Sequence, residues 1–114
     1  MKVSFEGIGE QTATFYNDAA NPAASGKAVK LSANATAALC ADGEDFAGFC
    51  AAADAATAAV QTAGFVTAFY TGTAPAVGFC ALCADAAGGV KTGGDRKYRG
   101  VETDAAAKTV GFIM

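Results

Sequence analysis

Short apolar segments separated by turn residues run along most of the chain. Glycine, asparagine, aspartate and proline stand between the segments, which cover residues 27–32, 36–41, 45–53, 58–70, 78–84, 88–93, 97–103 and 108–114. Short strands with frequent turns are typical of all-β sandwiches and barrels. The pattern therefore predicts an all-β fold: a small single-domain β-barrel or β-sandwich of short antiparallel strands, with an N-terminal arm.

The first part of the chain is separated from the rest by a turn-rich stretch. Residues 17–26, NDAANPAASG, favour turns and loops. They predict an N-terminal arm and linker over residues 1–26 and a β-barrel or β-sandwich domain over residues 27–114. Residues 3–16, with apolar side chains among polar ones, fit two alternatives. They form either an arm that adds a strand to a neighbouring subunit or the first strand of the chain's own domain.

The alanine-rich stretch 51–60, AAADAATAAV, is compatible with two local structures. Alanine is the strongest intrinsic helix former, so a short helix is one of them. The stretch has no stripe of large apolar residues and lies between aromatic, β-rich pieces. We therefore favour a hairpin turn around Asp54.

Two segments of the chain nearly repeat each other, GFCAAADAA at 48–56 and GFCALCADAA at 78–87. The similarity fits two strand-to-turn units that form paired hairpins of a small barrel. It fits equally well a chance likeness within a sequence rich in alanine and glycine.

The longest apolar run, GFVTAFY at 64–70, alternates as a strand would. Phe65, Thr67 and Phe69 point to one side, and Val66, Ala68 and Tyr70 point to the other. Because both sides are largely apolar, the pattern predicts a central strand covered on both faces. We expect the chain's own core on the side of Phe65 and Phe69, and another subunit on the side of Tyr70.

Composition adds a reason to expect association. Hydrophobic residues make up 53% of the 114 residues, but many of them are alanine, and 14 glycines add no side chain. One domain is expected at this length. An alanine-lined core buries little apolar surface, so such a chain gains from contact with neighbouring subunits.

Charge and hydropathy argue against two kinds of partner. The chain carries 8 basic and 11 acidic residues, a net charge of −3, and its clearest basic cluster is only Arg96, Lys97 and Arg99. Nucleic-acid binding needs a broader basic surface, so no nucleic-acid partner is expected. No targeting signal or membrane-spanning apolar run is evident, which predicts a soluble protein with no membrane partner.

The residues that usually carry chemistry are sparse. There is no histidine, which excludes Ser-His-Asp and Cys-His catalysis. Cys80 and Cys83 form a CxxC pair, but a strand there would point them to opposite faces; Cys40 and Cys50 stand alone. The cysteines are interpreted as small apolar residues with reduced thiols, and the acids at 42–45 as a surface turn. We expect no enzymatic activity, no metal and no cofactor.

Several stretches resemble a known family of small phage proteins. They are FEGIG at 5–9, ATF at 13–15, the runs at 26–49, 58–79 and 84–94, and VETDAAAKTVGFIM at 101–114. Together they resemble the capsid decoration, or cement, proteins of tailed bacteriophages. The resemblance implies a small β-barrel or β-sandwich made in the host cytoplasm, bound to the major capsid protein on the outer surface of the virion. It also implies a homo-oligomer, with a trimer favoured, and transfers no site residues.

A decoration protein binds a surface that exists only in the assembled shell, so its binding stabilises the assembly. The residues expected to contact the capsid or a sister subunit are Phe5, Ile8, Phe15, Tyr16 and Tyr70. Two other functions remain open at this point. One is a self-assembling shell, tube or fibre subunit, and the other is a small thiolate metal-binding module.

Overall fold

The structure is a computed structural model that describes residues 9–114. The described residues form strands and no helix, which confirms the predicted all-β fold. The strands are β1 (Gln11–Asn17), β2 (Ala28–Ala33), β3 (Thr36–Leu39), β4 (Gly48–Ala53), β5 (Thr57–Ala63), β6 (Phe65–Phe69), β7 (Gly78–Ala84), β8 (Val90–Asp104) and β9 (Thr109–Ile113).

The first five strands form a closed barrel in the order β1-β3-β2-β4-β5. Closure comes from β1, which runs antiparallel to β5 from Gln11 to Tyr16 and parallel to β3 at Tyr16 and Asn17. Of the two alternatives for residues 3–16, the structure therefore gives the second one for β1, a strand of the chain's own domain. Residues 1–8 lie outside the described part of the chain.

The remaining strands form a second sheet in the order β6-β9-β8-β7. The predicted segment 58–70 splits at Gly64, whose φ of 96° lies in the region that glycine adopts at low cost. This turn sends the chain from the last barrel strand, β5, directly into the edge strand β6.

Strand β8 joins two segments that the sequence pattern separates, 88–93 and 97–103. It pairs with β7 on both sides of an irregularity, since Ala81 lies opposite Lys97 and Leu82 lies opposite Thr92. Residues 93–96 therefore bulge out of the ladder, and the two glycines there have φ values of 137° and 81°. The bulge lets one strand continue where the sequence suggests a break.

The hairpin predicted around Asp54 is confirmed. Asp54 lies between β4 and β5, and its Oδ1 accepts hydrogen bonds from the N–H groups of Ala56 and Thr57, each at 2.8 Å. This Asx turn reverses the chain where helix propensity alone favours a helix.

The near-repeat at 48–56 and 78–87 has a structural counterpart. In the second copy Asp85 makes the equivalent turn, with Oδ1 accepting from Ala87 and Gly89 at 2.8 Å. Each copy is thus a strand followed by an aspartate turn. The two hairpins lie in different sheets, which rules out the alternative that they form paired hairpins of one barrel.

Strand β6 alternates as predicted, but the assignment of its faces is reversed. Val66, Ala68 and Tyr70 are buried, whereas Phe69 is 71% exposed. β6 is an edge strand of its sheet and not a central strand covered on both sides. Val66, Ala68 and Tyr70 pack between the two layers in the same cluster as Phe46, Phe49, Tyr98 and Phe112.

Two buried clusters hold the layers together. Small side chains fill the barrel: Ala23, Val29, Ala37, Cys50, Ala58 and Val60. Between the barrel and the second sheet lies an aromatic cluster of Phe46, Phe49, Tyr98 and Phe112, with ring centroids 5.0 to 6.0 Å apart. Strands β2 and β4 contribute to both clusters, since their successive residues point to opposite sides.

Candidate functional site

The first exposed aromatic surface lies on the barrel and centres on Tyr16. The Tyr16 side chain is 66% exposed on β1. It borders a shallow groove of about 300 Å³ lined by Thr14, Phe15, Tyr16, Ala35 and Thr57, which we call the Tyr16 surface. A large exposed ring beside a concave surface is a common arrangement for an anchor in a protein interface.

The backbone around Tyr16 is fixed from both sides. Tyr16 lies opposite Thr36 of β3 and Thr57 of β5. Its N–H also donates a 2.7 Å hydrogen bond to the carbonyl of Ala35, in the β2–β3 turn. A partner that binds here therefore meets a backbone that is already ordered, which lowers the entropic cost of binding.

The second exposed surface is the side of the second sheet that faces away from the barrel, which we call the outer face. One row of cross-strand partners crosses it, Phe79, Arg99, Ile113 and Phe65 in neighbouring strands. Phe79 is 71% exposed, and the Arg99 guanidinium carbon lies 5.8 Å from the centre of its ring. Phe69, at the other end of β6, is equally exposed.

Charged side chains divide the outer face into two halves along β8. Lys97 and Arg99 lie in one half, and Glu102 and Asp104 lie in the other. All four residues are exposed. The sequence interpretation missed this surface because it assigned Phe69 to the core; the alternation of charged residues around Tyr98 was the available signal.

The predicted interface residues are not brought together in one place. Tyr16 is exposed, but its neighbour Phe15 is half-buried and packs against the barrel interior. Tyr70 is only 4% exposed and belongs to the core between the layers, so it offers no surface to a partner. Phe5 and Ile8 lie outside the described residues.

The four cysteines are all free thiols, and three of them are buried. Cys80 packs against the core between the layers, as do Leu82 and Ala84, so Cys83 points to the opposite face of β7 as predicted. Burial raises the pKa of the Cys40 thiol to about 11, and Glu44 adds to the shift. Burial also raises the pKa of Cys50 and Cys83.

Between residues 9 and 114, no three histidine, cysteine, aspartate or glutamate residues come close enough to hold a metal ion together. The acids of the 42–45 turn instead make surface ion pairs, Asp42 with Lys91 at 2.9 Å and Glu44 with Lys30 at 2.8 Å. Glu44 also accepts the Ala41 N–H at 2.7 Å, which closes the turn. These contacts fit a structural role for the turn.

The predicted basic cluster is not a single patch. The Arg96 guanidinium carbon lies 5.2 Å from the ring centre of Tyr98, which is buried on the inner side of β8. Lys97 and Arg99 lie on the outer face. Strand alternation thus separates residues that are adjacent in the sequence.

Comparison of the chain with protein families, curated proteins and solved structures finds no match. The described residues include no helix that is long and apolar enough to cross a membrane.

Proposed function

We propose that this chain is a non-enzymatic virion protein that binds the outer surface of an assembled phage capsid and stabilises it. Its partner is the major capsid protein, and the Tyr16 surface makes the contact. The observation that carries the proposal is the exposure of Tyr16, 66% of an aromatic side chain, on a strand of a closed barrel. The phage-protein resemblance of the sequence supplies the identity of the partner.

The free energy of binding to an assembled shell favours this role for a small barrel that exposes the ring of Tyr16. A ligand that binds the assembled shell and not the free subunits shifts the equilibrium toward the shell. Each copy needs only a modest contact, because the contact is repeated over the whole lattice. A rigid surface with a single large aromatic ring suits such a contact.

The experiment begins with the gene neighbourhood, where we expect a coat-protein gene beside the gene for this chain. The purified chain is then mixed with capsids assembled from that coat protein, and separately with unassembled coat subunits. We expect cosedimentation with the capsids alone, and a higher temperature of capsid disassembly when the chain is bound. A chain that binds neither form, or that assembles by itself into shells, tubes or fibres under the electron microscope, contradicts the proposal.

Variants of Tyr16 test the surface. Tyr16→Ala removes the ring, and we expect capsid affinity to fall about 30-fold, corresponding to about 2 kcal/mol. Tyr16→Phe keeps the ring and retains most of the affinity. The control is Leu31→Ala, an exposed apolar residue of β2 that does not line the groove, and it leaves capsid affinity unchanged. Equal losses for Tyr16→Ala and Leu31→Ala would show that the Tyr16 surface is not the contact.

A further inference from the structure

We infer that the outer face of the second sheet is the surface through which two copies of this chain associate about a two-fold axis. The partner on this face is a second copy of the chain and not the coat protein. This inference goes beyond the proposed function, because it concerns a different surface and needs no capsid.

The outer face exposes large apolar side chains. Phe69 and Phe79 are each 71% exposed. Ile113 and Phe65 lie between the two phenylalanine positions and are half-buried. Exposed large apolar side chains are common at protein interfaces, and here they lie on both sides of the charged residues of β8.

The arrangement of charge on the outer face favours a second copy of the chain as the partner. Lys97 and Arg99 precede the bulge of β8 at Val101, and Glu102 and Asp104 follow it. A two-fold axis that crosses β8 between Gly100 and Val101 reverses the strand direction in the partner. Each basic half then faces the acidic half of the other copy.

The charged residues of β8 pair symmetrically about this axis. The midpoint between Arg99 and Glu102 along the chain is the same as the midpoint between Lys97 and Asp104. A single axis therefore places Arg99 opposite the partner's Glu102 and Lys97 opposite the partner's Asp104. Each contact occurs twice in the dimer, which gives electrostatic complementarity without any additional partner.

A glycine keeps the middle of the outer face low, in a concavity of about 460 Å³ that Thr67, Glu102 and Asp104 also line. Gly111 lies on the outer face between Phe65 and Glu102, and a Cβ built there would lie 2.7 Å from Cζ of Phe65 and 3.1 Å from Cγ of Glu102. The ring and the methylene groups thus lie across the glycine backbone. Sheets that pack face to face approach to about 10 Å, which needs such a low surface.

An isologous contact of this kind closes with two copies. It therefore predicts a dimer, where the resemblance to decoration proteins implies a trimer. The molar mass of the chain in solution separates the two.

The test uses the purified chain without capsid, in sedimentation equilibrium and light scattering. We expect the parent chain to form a concentration-dependent dimer that weakens as salt rises, since screening reduces the attraction between exposed charges. Arg99→Glu and Glu102→Arg each place like charges opposite one another twice in a homodimer. Each variant alone should dimerise at least about tenfold more weakly than the parent.

Mixing the two variants provides the decisive measurement. In the mixed dimer every reversed charge again faces an opposite charge, so a 1:1 heterodimer should recover an affinity within about threefold of the parent. Glu10→Lys, which makes a similar charge change just before β1, is the control and leaves dimerisation unchanged. Far-UV circular dichroism of each variant checks that the fold is intact.

Three results would overturn the inference. They are a parent chain that stays monomeric up to about 1 mM, a parent chain that forms a trimer, and a mixture that fails to restore the dimer. If Tyr16→Ala loses capsid binding but still dimerises, the dimer inference is unaffected. If the parent chain does not dimerise, the proposal of capsid binding is unaffected.

Discussion

Phe112 lies at the centre of the aromatic cluster between the barrel and the second sheet, and its replacement by alanine tests the arrangement of the two layers. The side chain is fully buried. Its ring lies 5.4 Å from that of Tyr98 and 6.0 Å from those of Phe46 and Phe49, measured between centroids. No other residue in the cluster contacts rings from both layers with so little exposure.

The expected loss of stability in Phe112→Ala follows from the burial of the Phe112 side chain. Phe→Ala in a packed core lowers the free energy of unfolding by about 3–5 kcal/mol, because the transfer free energy is lost and a cavity remains. Domains of this size have total stabilities of about 5–15 kcal/mol, so the variant loses a large fraction of its stability. The matched control is Phe69→Ala. Its ring is 71% exposed, so the expected loss is below about 1 kcal/mol.

The assay is urea denaturation followed by far-UV circular dichroism, since the chain has no tryptophan. With a denaturant slope of about 1.5 kcal/mol/M, Phe112→Ala should lower the midpoint by about 2–3 M and Phe69→Ala by well under 1 M. If the two variants lose equal stability, or if Phe69→Ala loses more, the assignment of the buried face of β6 is wrong.

Two further predictions concern titratable groups. With the native chain at about pH 8, an alkylating reagent should modify Cys80 first. It should reach Cys40, whose thiol pKa is raised to about 11, only after denaturation. Mass spectrometry counts the adducts, and equal rates at the two cysteines would contradict the burial of Cys40. Hydrogen bonds from Thr57 and Ala56 lower the pKa of Asp54 below its ordinary 3.8. Ionised Asp54 therefore stabilises the fold above that value, and the contribution is lost as pH falls through the lowered pKa. Asp54→Asn should lose less stability than the parent as pH falls below 3.8 in acid denaturation, and an identical acid profile would count against the turn.

Local chemistry made much of the fold predictable. The reversal at Asp54 depends on an aspartate that bonds to backbone groups two and three residues ahead, which is a property of the sequence itself. Strand β7 begins and ends where the apolar segment 78–84 does. Turns and strand boundaries that depend on contacts within a few residues can therefore be predicted from the sequence.

The faces of β6 could not be predicted in the same way. Phe65 and Phe69 stand on one side, and Val66 and Ala68 stand on the other, so the apolar pattern permits either side to be buried. The choice depends on how Phe46, Phe49 and Phe112 pack between the layers, in the cluster that Val66, Ala68 and Tyr70 join. That constraint comes from residues distant in the sequence, and no local pattern contains it.

The candidate surfaces also depend on contacts between residues that are distant in the sequence. Phe15 and Tyr16 are neighbours on β1, and alternation predicts that one points inward and the other outward. Which of them is exposed follows from closure of the barrel between β1 and β5. Likewise, the division of charge across the outer face depends on the register of β8 with β9 beyond the bulge at Val101.

The interior of the barrel gives the alanine content of the chain a geometric meaning. Five strands enclose little space, and the residues of the buried cluster inside them include Ala23, Ala37 and Ala58, each 5% exposed or less. A larger side chain at any of them would overpack this interior, which typically costs about 1–3 kcal/mol. The alanines share this interior with Val29, Cys50 and Val60, so side chains of modest size fill a barrel that five strands close around.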